Sequence, residues 1–184
     1  DSPDAGSNSP KTNLSYEDCY KLYVSLSNQY KVNRTKGLDD SLGNIEVSKI
    51  DTFFENKIKH SYEKLNDALE FIYTKLQEGK NVTVQIRGFA SSLFETTYNF
   101  NLSERRIVSV ENYMRAWRGG VLKTYMDSIA QDNQHKLEIN HLAMGKLQST
   151  SPNPETLEEK RHSVYLEQAM EERRIEIKVI QIRN

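Results

Sequence analysis

A single cysteine, Cys19, stands in a chain of 184 residues. An internal disulfide is therefore impossible, and a Cys-rich zinc site is excluded with it. Cys19 falls among aromatic residues in an expected helix, the setting of a buried, inert thiol rather than a nucleophile. An excess of either charge is lacking too: 25 Lys and Arg face 26 Asp and Glu, a net of −1 at neutral pH. The basic residues are dispersed among acids with no aromatic ladder, which argues against nucleic acid as a partner. No apolar run reaches the length of a membrane span, and no charged-then-apolar leader opens the chain. The opening Asp1-Ser2-Pro3 is that expected of a fragment or processed form of something longer. The four histidines, at 60, 135, 141 and 162, lack metal-ligand spacing. A Gly-rich phosphate loop, a G-x-S-x-G elbow and a paired-carboxylate constellation are missing as well. No enzyme class, metal or cofactor is indicated.

What the chain does have is periodicity. Residues 1–14, rich in Ser, Pro, Asn and Asp, read as a flexible leader. Ser15 and Asp18 have the form of a capping box. The helix behind it repeats Tyr16, Tyr20, Tyr23 and Tyr30 near helical spacing, a packing face with phenolic edges toward water. Residues 33–43 read as a loop. From Gly43 to Gly79 no Gly or Pro intervenes, and apolar residues fall in steps of three and four. That pattern predicts one amphipathic helix of about thirty residues, or two collinear ones broken near His60-Ser61, closed by Gly79. Residues 15–79 thus form a helical segment packing on a core of 80–184.

The core opens with a strand over 82–87, where Val82, Val84 and Ile86 alternate with Thr83, Gln85 and Arg87 until Gly88 frees the backbone. A helix is expected over 104–117, with Ser103 as N-cap, Leu102 and Ile107 as a hydrophobic staple, and Gly119-Gly120 as the stop. In that register Arg106 lies in the first turn, where free N–H groups and the helix dipole favour anions. Its planar fork suits a carboxylate. Arg105, about a hundred degrees round the helix, is expected in solvent. A short helix in 121–130 and a second strand through Leu137, Ile139 and His141 follow. Then come a long exposed loop over 146–162 and a helical turn or two in 164–170. The final strand, Ile175 to Ile182, is expected to be half buried and central, with Arg173 and Arg174 before it pairing with Glu. The fold class is α+β: a two-layer sandwich, a small mixed sheet with helices on one face, and an N-terminal helical extension.

The stretch Asn99-x-x-Leu102-Ser103-x-x-Arg106-Ile107 resembles the N-x-x-L-S-x-x-R-A signature of the OmpA-like peptidoglycan-binding domain. Gly88 stands at that family's interval before the asparagine, and Glu172-Arg173-Arg174-Ile175-Glu176-Ile177 is similar to its closing R-R-V-E-I strand. Gly88-Phe89-Ala90-Ser91, Tyr98-Asn99, Arg105-Arg106-Ile107, Asn112-Tyr113 and Ser163-Val164-Tyr165 more narrowly resemble the C-terminal domain of PorE-type proteins. Those belong to the type IX secretion and gliding apparatus of Bacteroidetes. The resemblance covers 80–184 well and 47–79 loosely.

It implies non-catalytic binding of peptidoglycan stem peptides, centred on meso-diaminopimelate, with no cofactor. It also implies a periplasmic place beside the outer membrane, anchoring a secretion assembly whose other components are further partners. Arg106 matches the arginine that takes a diaminopimelate carboxylate. Where the family carries an aspartate for the ammonium, this chain has Ser91, which hydrogen-bonds without charge. A rebuilt pocket is then expected from the backbone of Ala90, Ser91 and Ser92 beside Phe89, with Asn99 holding the loop or the ligand. The alternative is a degenerate domain serving only as a protein–protein scaffold. A further sheet strand upstream of Asp1 is also implied.

Overall fold

The structure is a computed structural model that describes residues 3–127, 135–150 and 164–184. Four helices come first: α1 (Tyr16–Ser25), α2 (Ser27–Thr35), α3 (Asp40–Phe53) and α4 (His60–Gln77). Strand β1 (Asn81–Phe89), helices α5 (Thr96–Gly120) and α6 (Lys123–Met126), and strand β2 (Leu137–Gly145) follow. A short α7 (Glu167–Glu172) leads into β3 (Ile175–Arg183). The three strands form one mixed sheet in the order β2–β1–β3, with β1 parallel to β2 and antiparallel to β3. The molecule is α+β, a small mixed sheet with helices packed against it.

Alternation in β1 sets the core. Val82, Val84 and Ile86 are buried, joined by Leu65, Leu69 and Ile72 of α4 and by Ile107, Val110 and Met114 of α5. The polar tips of two core rings meet on α4, where Asn66 Oδ1 accepts from Tyr113 Oη at 2.7 Å and Trp117 Nε1 at 3.1 Å. Buried rings with polar tips need such a partner. A second apolar cluster, with Tyr23, Tyr30, Ile50, Phe53, Phe54 and Met170, joins the helical extension to α7.

Several local expectations hold. The Ser15–Asp18 capping box forms in both directions. Gly79, at φ +82°, ends α4, its N–H bonding to Leu76 O at 3.1 Å while Lys80 N–H reaches Lys75 O at 3.0 Å. Others change. The loop expected over 33–43 shrinks, because α2 runs to Thr35 and Asp39 caps α3 by accepting from Leu42 N–H at 3.0 Å. No capped break occurs at Ser61. Helix α3 runs into α4 through a π-helical stretch, Phe54–Lys59. A π-turn shifts the phase of the apolar stripe, and here two consecutive rings, Phe53 and Phe54, are both buried.

Three corrections concern the core. Strand β1 continues through Gly88 to Phe89. The glycine serves a close approach instead: a Cβ there would stand 2.3 Å from the Ser103 carbonyl oxygen of α5. Helix α5 starts at Thr96, so Ser103 is no N-cap; it is buried inside the helix, its Oγ donating to Asn99 O at 2.9 Å. A serine that bonds back to its own helix has no call on the cap position. Finally β1, not β3, is central. Strand β3 is an edge strand, and Val179, Ile180 and Ile182 are exposed. At the other end of α5, helical geometry gives way at Trp117, before Arg118 and Gly119 turn to positive φ. Parts of the helix expected in 121–130 and of the loop expected over 146–162 lie outside the described residues.

Candidate functional site

The early start of α5 moves Arg106 away from the helix end and into its third turn. The dipole effect falls off within the first turn, so Arg106 is not helped by it. Its guanidinium is 4% exposed and donates through Nη1 to Phe89 O at 2.5 Å. Its Nη2, itself buried, has no hydrogen-bond partner among the described residues. Among the described residues neither Glu95 nor Glu104 is paired with it; Glu104 bonds His141 instead. Burial, and then the neighbouring charge of Arg173, pushes its pKa down to about 10. A buried cation without a carboxylate is costly, since the interior withholds the solvation that water supplied.

Arg106 lines a cavity of about 630 Å³ between the helical extension and the sheet layer. That volume lies in the range of small-molecule sites. Tyr16, Tyr20 and Tyr23 of α1 and Arg173 at the α7–β3 junction line the same space. The Tyr23 phenol is pushed up by burial, against the opposing pull of Arg173 and Arg106, so the hydroxyl and both guanidinium groups lie within electrostatic reach of one another. Cys19 also lines the cavity, and burial pushes its thiol up, away from the reactive thiolate.

The remaining residues of the expected pocket do not share this cavity. Ser91 is buried, but it is absent from the cavity wall, as are Phe89, Ala90, Ser92 and Asn99. The Ala90 N–H is already bonded to Gly145 O at 2.7 Å and is not open to a ligand. Asn99 is 1% exposed and donates through Nδ2 to Phe94 O at 2.8 Å, bracing the loop before α5. Phe89 contributes indirectly, through its carbonyl to Arg106 and its ring, which carries the Arg174 guanidinium at 4.0 Å.

Two arginines differ from expectation. Arg105 is fully buried rather than solvated. The leader passes over that face of α5: Arg105 Nε donates to Pro3 O at 2.9 Å, Nη1 donates to Ser9 O, and the group lies 5.5 Å from the Tyr98 ring. Asn101 and Asn112 of α5 donate to Asn8 O, Thr12 O and Leu14 O of the same leader. Backbone outside helix and strand has free carbonyls, and these side chains satisfy them. Arg174 pairs with Glu176 at 3.0 Å as expected, whereas Arg173 donates to two carbonyls, Ala169 O at 2.9 Å and Val164 O at 2.6 Å. The local pattern puts Arg173 with a Glu and Tyr23 on a packing face; nothing local in the chain signals that both line the cavity with Arg106. No family model, curated protein or solved structure matches the chain.

Proposed function

We propose that this protein binds the peptide stem of peptidoglycan without catalysis, anchoring an outer-membrane-associated assembly of the type IX secretion class to the cell wall. One observation carries the reading: Arg106, the residue matching the carboxylate-binding arginine of the resembled domain, is a buried cation whose Nη2 is unpartnered beside a 630 Å³ cavity. A carboxylate that entered that cavity and reached Nη2, which is itself buried, would complete the hydrogen bonds of the fork, and a charge-assisted bond of this kind contributes roughly 1.5–3 kcal/mol. The site would lie in the periplasm, and each stem would be held reversibly. The polymer offers many stems, so modest single-site affinity suffices for retention.

Co-sedimentation with insoluble cell-wall sacculi tests the reading. The wild-type chain is expected in the pellet, and Arg106→Ala in the supernatant. Equal partition of the two proteins would remove Arg106 from the account.

A second reading has its own observation. Among the described residues strand β3 leaves one edge unpaired, with Val179, Ile180 and Ile182 exposed, and such an edge can accept a partner strand. In that reading the domain is a protein–protein scaffold that has lost its ligand. Sacculi binding lost with partner binding retained would favour it.

A further inference from the structure

Three arginines line one cavity; Arg174 pairs with Glu176, whereas Arg106 and Arg173 have no carboxylate partner among the described residues. Arg106 is held by one carbonyl, with Nη2 left over. Arg173 is fixed by the carbonyls of Ala169 and Val164, which are neutral. We propose that Arg106 and Arg173 together receive a single carboxylate beside the Tyr23 hydroxyl, and that the site prefers a carboxylate whose neighbouring nitrogen is acylated over one beside a free ammonium. The inference rests on the stem-peptide reading above. Within a stem it selects a diaminopimelate whose side-chain amine is already in an amide, as in a cross-link between strands.

The charges around the cavity carry the second half of the proposal. An ammonium on the carbon that bears the carboxylate would be drawn toward two guanidinium groups, and like charges at that range repel strongly where water is scarce. The two acids of the cavity are each tied to other groups, and neither is paired with Arg106 or Arg173 among the described residues. Glu172 accepts from Ser149 Oγ at 2.7 Å and Thr150 N–H at 2.7 Å, and Glu171 faces Lys57 at 3.5 Å. Ser91, at the position where an aspartate would stand, is uncharged and off the cavity wall. Acylation removes the ammonium charge and leaves an amide N–H, which bonds without repulsion. The Tyr16, Tyr20 and Tyr23 wall then offers apolar surface to the acyl group.

Calorimetry of the full chain with two synthetic stem tripeptides ending in meso-diaminopimelate tests this, one with the side-chain amine free and one with it acetylated. The acetylated peptide is expected to bind about tenfold more tightly or better, a difference calorimetry resolves easily. Arg173→Gln is expected to weaken the acetylated peptide about tenfold and to flatten the preference. Arg173→Lys keeps the charge without the fork and should retain part of the preference. A merely structural role for Arg173 would weaken both peptides alike and leave their ratio unchanged. Equal binding of the two peptides, tighter binding of the free amine, or an unchanged ratio in Arg173→Gln would overturn the proposal while leaving the stem-peptide reading in place. If Arg173→Gln fails to fold, the ratios in wild type and Arg173→Lys decide. Failure of the wild type to bind either peptide would end both readings.

Discussion

Arg106 is where stability and function part. A residue kept for packing should stabilise the fold, whereas a buried cation awaiting an anion should not. Replacing an unpaired buried charge by an apolar chain of similar volume is commonly neutral or stabilising. Arg106→Met is therefore expected to raise the ligand-free melting temperature, by roughly 2–4 °C for about 1 kcal/mol in a chain this size, while abolishing binding. A fall of that size in thermal unfolding would make Arg106 a brace for the Phe89 carbonyl and nothing more. Gly88 makes the contrasting case, where the fold alone is at stake. A Cβ at Gly88 would meet the Ser103 carbonyl oxygen at 2.3 Å and push α5 off β1. Overpacking of this kind costs about 1–3 kcal/mol, so denaturant unfolding of Gly88→Ala should show a loss in that range. The sequence marked both positions, but each for a local reason. The local pattern makes Gly88 a strand end and Arg106 a first-turn residue, since the partner atoms lie on another element.

At the scale of elements, the contact between β2 and α5 carries a titratable strut. His141 of β2 bonds Glu104 at 2.7 Å through Nδ1 and Glu111 at 3.1 Å through Nε2, and Arg115 also holds Glu111. The Glu111 bond, opposed by burial and aided by Glu104, holds the imidazole above its usual range, while Glu111 is held below the usual carboxylate range chiefly by His141. A raised histidine contributes stability fully below its unfolded value near 6.5, and that stability is lost as pH rises through the folded value. Thermal melts from pH 5.5 to 8.5 should show the wild type losing stability toward the alkaline end. His141→Gln should be flatter and less stable at pH 5.5 by roughly 1 kcal/mol, the upper range for a partly exposed pair. Parallel curves would remove the strut. Element order was legible because periodicity is local: the capping box, the Gly79 stop and the β1 alternation all stand as expected. Element ends were not. Nothing within 96–103 forbids a helix, and Ser103 carries a cap's chemistry while bonding to Asn99 O inside α5. Likewise the π-helical stretch follows from burying both Phe53 and Phe54, which depends on what the helix packs against.

The whole molecule is an assembly of two parts whose meeting makes the cavity. Helix α5 supplies Arg106 and the α7–β3 junction supplies Arg173, while α1 lines the space with its tyrosines. The α+β class and the helical extension could be read from the chain because alternation and helical period separate cleanly on either side of Gly79. The central place of β1 could not, since β3 is as apolar as a central strand and its position depends on pairing alone. The same holds for the cavity, whose walls come from α1, α5 and the α7–β3 junction, much farther apart along the chain than the window over which periodicity is read. Whether that cavity takes a carboxylate decides what the molecule does. Calorimetric titration of the full chain with a diaminopimelate-containing muropeptide, beside Arg106→Ala, asks this directly. Saturable binding by the wild type and none by the variant is the predicted result. Heat of binding that is unchanged in Arg106→Ala, or absent from both proteins, would contradict it.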